Sequence, residues 1–260
     1  MRINEMTEQE IMQTIPQKEA VYLIFSKLTR SAYLECNPVT FEDEVFLFAE
    51  EEDAKAFVEE KEKEKIPVAT GKVSKNNLFR MFVDLYPIGV NVVNISVGKE
   101  KVRVPLDHIV KRPPDEEIDS TKIIENQQLA MSLLYFLQEA RKPEGIDGSK
   151  VHEMEEEMIR NLYKAQYILP IKKEQVDGKD IVRMMLISMQ DKSQMIPVFS
   201  DSISFQNFVG EQTTEGIVFN FEALEKMEIP NEAAGYVLNP AGPCLAMTKE
   251  YLKNIKEAFE

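Results

Sequence analysis

The stretch from Met195 to Ile255 has a weaker echo near the N-terminus, and a chain that repeats one pattern is expected to fold as two similar domains. In the later copy Ile196-Pro197-Val198-Phe199 reads as a buried strand and Ser200-Asp201 as a helix start. Ile203, Phe205, Phe208 and Val209 are that helix's apolar positions. In the earlier copy Phe46-Leu47-Phe48 is the strand, Glu50 to Asp53 the acidic first turn, and Ala54, Phe57 and Val58 the apolar face. The two align without a gap: Phe48 falls on Phe199, Phe57 on Phe208 and Val58 on Val209. At 260 residues the chain can bury two separate cores, and the expected domains are residues 1–142 and 149–260.

The elements predicted around this echo mix strands and helices. A short helix Glu8 to Thr14 stops at Pro16, and strands follow at Val21–Phe25 and Ala32–Cys36, closed by Asn37-Pro38. The helix from Glu50 to about Lys65 carries Glu51 with Lys55 and Glu59 with Lys63 at i,i+4, so its charge run is a solvated face. Ile66–Ala69 restarts a strand, Ser74 caps a helix with Leu78, Phe79, Phe82 and Leu85 on one face, and Val90–Ser96 with Lys101–Val104 form a hairpin. Ser120 is expected to cap a long helix, apolar on two faces through Ile123, Ile124, Leu129, Leu133, Leu134 and Leu137, and a helix of that kind must be covered on both. Lys142 to Ser149 reads as a linker, followed by a helix with a Val151, Met154, Met158, Leu162 stripe.

In the second unit Ala165–Ile171 and Val182–Met189 join across Asp177-Gly178, a hairpin signal. Tyr167-Ile168-Leu169 stands where Tyr22-Leu23-Ile24 stood. Ile217–Phe219 is a strand, Asn220 caps a helix facing inward through Phe221, Leu224 and Met227, Cys244–Met247 is the returning strand, and Thr248 caps the last helix. The fold class is α/β (α+β): two similar domains, each a mixed β-sheet with packed helices, joined by a long apolar helix.

At Ile196 to Asp201, Phe208, Val218-Phe219, Leu224 and Val237-Leu238-Asn239-Pro240-Ala241-Gly242, the chain resembles the N-terminal domain of the SseB family, the enhanced serine sensitivity proteins. The first copy resembles the same domain at Leu78 to Met81, Val92-Val93-Asn94, Gly98 to Glu100 and Val104 to Ile109, with Asn94-Ile95 where the second copy has Asn239-Pro240. The resemblance implies a compact mixed α/β domain in a bacterial cytosolic protein and carries over no catalytic residue.

Several chemistries are set aside on the residues themselves. Gly71-Lys72-Val73-Ser74 has Ile66 where a phosphate-binding loop needs glycine and Val73 where it needs a hydroxyl. His108 and His152 are the only histidines, too few for an imidazole-rich zinc site, and no dinucleotide fingerprint or calcium loop is present, so no cofactor or metal is expected. Glu153, Glu155, Glu156 and Glu157 read as a solvated helix face. A net charge of −14 argues against a nucleic-acid backbone as partner. The longest apolar run, Leu129 to Leu137, is too short to span a bilayer. Cys36 and Cys244 match no redox motif and are expected as reduced, inward thiols. With no apolar leader at Met1 to Glu5, the expected location is the cytoplasm.

The tentative binding residues are Asn239, Pro240, Ala241 and Gly242, a type I turn whose amides could face an anion or peptide, set against a plain structural turn. Met184, Met185, Met189 and Met195 form a cluster suited either to core filling or to varied partners. The expected function is that of a non-enzymatic interaction or regulatory protein with a protein partner or self-association, the two-faced helix being covered by a dimer if its own chain leaves it bare. The alternative is a sensor of a small, amino-acid-related molecule, bound between the domains or at the Asn239 turn.

Overall fold

The computed structural model describes residues 7–111, 123–176, 179–210 and 214–259. They form mixed α/β structure in two compact units: residues 1–117 with 134–151, and residues 118–133 with 152–260.

The first unit opens with α1 (Glu8–Thr14), started by a capping box in which Thr7 and Glu10 satisfy each other's backbone amides. Its strands are β1 (Ala20–Ser26), β2 (Ser31–Ala32), β3 (Glu35–Cys36), β4 (Asp43–Phe48), β5 (Val68–Ser74), β6 (Val92–Val97) and β7 (Glu100–Pro105). β1 lies antiparallel to β5 on one side and to β4 on the other; β4 runs parallel to β6, which pairs antiparallel with β7. The parallel step needs a crossover, supplied by α2 (Glu51–Lys63), β5 and α3 (Leu78–Asp84). Alternation along the strands then sends side chains to two cores. Val21, Leu23, Val45, Leu47, Val93 and Ile95 pack with α1, α3, α4 (Leu106–Ile109) and Leu134, whereas Tyr22, Ile24, Phe46 and Phe48 pack with Ala54, Phe57 and Val58 of α2.

In the second unit the strands are β8 (Gln166–Val176), β9 (Lys179–Met184), β10 (Ile187–Ser188), β11 (Gln194–Val198), β12 (Glu215–Asn220), β13 (Ala233–Leu238) and β14 (Leu245–Thr248). β8 is antiparallel to β12 and meets the end of β11 through an antiparallel bridge between Ile168 and Phe199. β11 runs parallel to β13, which pairs antiparallel with β14, and the crossover is α7 (Ser202–Val209), β12 and α8 (Phe221–Lys226). The path β5-β1-β4-β6-β7 thus has a counterpart in β12-β8-β11-β13-β14. The gap-free alignment lands on equivalent contacts: the rings of Phe48 and Phe57 lie 5.4 Å apart and those of Phe199 and Phe208 5.0 Å apart.

Two rows cross the sheets at this point, Lys72-Tyr22-Phe48 and Val218-Ile168-Phe199. They correct the expected equivalence by one residue: Ile168, not Tyr167, stands where Tyr22 does. A slip of one residue exchanges faces. Tyr22 accordingly reaches Glu51 of α2 with its hydroxyl (3.3 Å), while Tyr167 donates on the other face to the Leu162 carbonyl of α6 (Gly148–Lys164).

The apolar helix is shorter than expected. α5 spans Gln127–Ala140, and Ile123 to Asn126 before it are not helical; Ser120 lies outside the described residues, as does the Asp177-Gly178 turn. Ile124 instead exchanges hydrogen bonds with Ser202, through its amide to Oγ and its carbonyl to the amide, both at 2.9 Å. Leu129, Leu133, Leu134 and Leu137 are buried within the single chain, so the helix leaves no leucine row bare for a dimer to cover. The linker is shorter too: Asp147 Oδ1 accepts from the amides of Ser149 and Lys150 and starts α6, drawing Gly148 and Ser149 into that helix.

In α3, Leu78, Met81 and Phe82 are buried with Leu85, but Phe79 is 67% exposed. One residue of helix turns a side chain by about 100°, which carries Phe79 off the buried stripe. Ser74 makes no side-chain cap; it closes β5 opposite Ala20.

Candidate functional site

Asn239 follows β13 where the parallel strands β11 and β13 end. Its φ is +47°, a left-handed conformation that asparagine tolerates better than most residues. Its amide donates to the Val198 carbonyl (2.9 Å), Oδ1 accepts from the Ser200 amide (3.1 Å), Nδ2 donates to Ser200 Oγ (2.8 Å) and its carbonyl accepts from the Gly242 amide (2.9 Å). Ser200 Oγ donates to Asp201 Oδ2 (3.1 Å), and Asp201 Oδ1 caps α7 through the Ser204 amide (2.7 Å). Asn126 joins the cluster, donating from Nδ2 to the carbonyls of Gln166 and Ser200 at 2.8 and 2.6 Å. Asn239 and Ser200 are buried at 5% and 1% exposure, so the side chain expected to orient a binding turn clamps two strand ends together. Ala241 is exposed, and Pro240 and Gly242 are half-buried.

The first unit solves the same junction differently. There the Ala49 amide donates to the Ser96 backbone carbonyl (2.9 Å), because β6 runs on as strand past that point. Asn94 is not the counterpart of Asn239: it pairs with Phe46 two residues earlier and donates to Glu44 Oε2 (2.6 Å).

The other residues singled out from sequence do not converge. His108 sits in α4 with Nδ1 2.9 Å from Glu8 Oε1, His152 lies 3.3 Å from Glu156, and Glu153, Glu156 and Glu157 are exposed. Among the described residues no group of three or more His, Cys, Asp or Glu side chains is placed to hold a metal ion. Gly71 lies inside β5, where a Cβ would fall 2.2 Å from the Phe25 ring, so this glycine serves close packing. Met195 is buried and Met184, Met185 and Met189 are half-buried. Both cysteines are thiols, but Cys36 is exposed, against expectation, because it occupies the outermost position of a two-residue strand. A cleft of about 310 Å³ lies between α2 and β5, and its two lysines are already engaged, Lys27 with Glu62 (3.5 Å) and Lys55 with Glu51 (2.6 Å).

The Glu8 carboxylate holds His108 above the usual imidazole value, chiefly through their hydrogen bond. A raised value in the fold means that this tether of α1 is complete below the unfolded value of about 6.5 and is lost as pH rises through the folded one. An NMR titration of His108 is expected to give a midpoint that Glu8→Gln lowers.

Among the described residues the most exposed large apolar side chains lie on the loop between β3 and β4, where the sequence shows a turn. Val39 is 82% and Phe41 78% exposed. The loop beneath them is braced. Asn37 Oδ1 accepts from the amides of Val39 (2.9 Å) and Thr40 (3.1 Å), its Nδ2 donates to Glu44 Oε1 (3.0 Å), and its carbonyl accepts from the Phe41 amide (2.9 Å). From β7, Arg103 donates to Thr40 Oγ1 (3.1 Å), Glu42 Oε2 (2.7 Å) and Glu44 Oε1, the last through Nε (2.8 Å) and Nη2. Hydrogen bonds from Thr40 and Arg103 hold the Glu42 carboxyl below the usual range. Phe41 has φ +58°, strained for a bulky side chain. The sequence signal for this loop is two large apolar residues inside a polar turn headed by Asn37-Pro38.

Comparison with known proteins adds one family. The profile of the SseB protein N-terminal domain matches residues 146–254, under half of the chain. No curated protein matches. Two solved structures align: Anabaena Tic22, a protein of protein transport, at 11% identity and a TM-score of 0.23 over 84% of each chain, and Tic22 from Plasmodium falciparum, at 14% and 0.22 over 95% of this chain and 97% of that one. Likeness at that level bears on neither the fold nor the role of this chain.

Proposed function

We propose that this chain is a non-enzymatic interaction protein built from two tandem SseB N-terminal-like units, and that it acts by presenting the loop from Asn37 to Glu42 to a protein partner. The observation that carries this reading is the pairing of exposure with bracing: two large apolar side chains stand in water on a loop whose polar groups are tied down from β4 and β7. A rigid loop loses little conformational freedom on binding, and strain in a residue that stands mostly in water points to a use outside its own fold. Val39 and Phe41 are apolar and the net charge is −14, so the complementary surface is an apolar pocket on a partner of opposite overall charge.

The tandem reading is supported by the recurring strand path and by the matched ring contacts of Phe48 with Phe57 and Phe199 with Phe208. A cytoplasmic location and bacterial origin belong to the same proposal. It is in keeping with them that both cysteines are thiols and that no helix among the described residues is long and apolar enough to cross a membrane.

Phe41→Gly tests the reading cleanly, because glycine relieves the left-handed strain while removing the contact. The full chain carrying it is expected to melt at or above the wild-type temperature, yet to lose proteins that the wild type retains from native extract, with that retention weakening as salt is added. Retention that survives both Phe41→Gly and Val39→Ser would overturn it. Sensing of a small molecule, between the domains or at the Asn239 turn, is the competing class, and at that turn the Asn239 side chain is engaged within its own fold.

A further inference from the structure

The strand β12 is an open edge. Among the described residues it pairs with β8 alone, and five of its six residues are exposed, including Ile217 at 38% and Val218 at 40%. Native sheets blunt such edges with lysine, proline, bulges or a covering element. The corresponding strand β5 follows that rule: Lys72 occupies the position across from Tyr22, and α2 packs along the strand. In β12 the same position, across from Ile168, is Val218, and the strand Glu215-Gly216-Ile217-Val218-Phe219-Asn220 contains neither lysine nor proline. The helix on that side is also shorter, eight residues in α7 against thirteen in α2.

We propose that β12 pairs antiparallel with β12 of a second copy of this chain, joining the two sheets across a two-fold axis. The sequence of the strand is self-complementary for that purpose. An axis through Ile217 sets it against its own copy, with Gly216 opposite Val218 and Glu215 opposite Phe219; an axis through Val218 sets Ile217 opposite Phe219 and Gly216 opposite Asn220. Neither register brings two carboxylates together, and both place β-branched or aromatic side chains across from each other, the pairs that stabilise antiparallel strands. Glu215 is held on its own molecule by Lys173 at 2.6 Å. Backbone groups supply the attraction, and the alternating apolar side chains fix the register. Each copy carries −14, so the association works against a general repulsion that salt screens. This surface lies in the second unit and does not depend on the loop at Phe41.

Sedimentation velocity on the full chain, over a concentration series and at two salt concentrations, tests the proposal. A dimer that tightens with added salt is expected. Val218→Lys, which installs the residue of the matching position in β5, is expected to weaken it by roughly a hundredfold or more, since two ammonium groups would be buried beside the axis. Lys72→Glu, at the matching position of β5, is expected to leave it unchanged. Thermal melts confirm that each variant is folded, and if Val218→Lys does not fold, Ile217→Thr serves in its place with a smaller loss. A monomer up to the highest soluble concentration overturns the proposal, as does a dimer that tolerates both β12 variants; a monomer that captures an extended peptide on β12 assigns the edge to a different occupant and likewise overturns it.

Discussion

Asn239→Ala is expected to destabilise the second unit by about 2–4 kcal/mol, the cost of leaving a buried amide and hydroxyl poorly paired together with that of an alanine in left-handed backbone. The reasoning is local. Oδ1 and Nδ2 of Asn239 bind the amide and hydroxyl of Ser200, which is 1% exposed, and no bulk water replaces them when the side chain is cut back. Asn239→Gly removes the same two bonds but accepts φ +47°, so it is expected to lie about 1 kcal/mol above alanine. Asn239→Asp keeps the acceptor and loses the donor. It sets a second carboxylate beside the hydroxyl that already donates to Asp201, and it is expected to be no better than alanine. Urea denaturation followed by circular dichroism gives the order Asn, Gly, then Ala with Asp. An alanine variant as stable as the wild type would mean that the turn is held by something else.

Gly235→Ala is expected to be worse, about 3–5 kcal/mol or failure to fold, because both of its faults lie in backbone. A Cβ there would stand 2.4 Å from the Met247 carbonyl oxygen and 2.9 Å from Thr248 Cα, and the φ of +153° belongs to a region that side chains rarely enter. Nothing at that contact is a flexible chain end that could swing aside. Gly98→Ala is the matched control: its φ is also positive, at +59°, but no atom lies within 4 Å of the added carbon, so only the conformational cost of about 1 kcal/mol remains. The two thermal melts side by side separate steric from conformational loss, and equal melting temperatures would contradict the close approach of β13 and β14.

Three helix starts are legible in the sequence because one side chain reaches an amide a few residues on, although Asp147 does the same for α6 from within the expected linker. Asp201, Asn220 and Thr248 were each read as starts, and each accepts from the amide three residues later, at 2.7, 2.9 and 3.1 Å. Strands were legible as apolar runs, but their register was not: Tyr167 and Ile168 both suit a buried strand, and only the bridge to Phe199 decides which faces α7. Ile123 and Ile124 continue the apolar spacing of α5 in the sequence, whereas in the fold the helix starts later and Ile124 is spent on hydrogen bonds to Ser202. The loop at Phe41 is not legible in the sequence because apolar residues normally signal core, and exposure is not a property of the residue.

What the sequence determined by itself is the set of local decisions: where Asn, Asp and Thr start helices, where glycine permits a turn, and which apolar runs become strands in a mixed α/β fold. These depend on atoms a few residues apart. Tertiary structure alone decided that Asn239 is a clamp, that Arg103 braces a loop more than sixty residues away in the chain, and that Val218 stands at an uncovered edge where Lys72 guards the matching one. Each of those outcomes depends on which distant backbone comes within about 3 Å of a side chain, and periodicity along a chain carries no record of that distance.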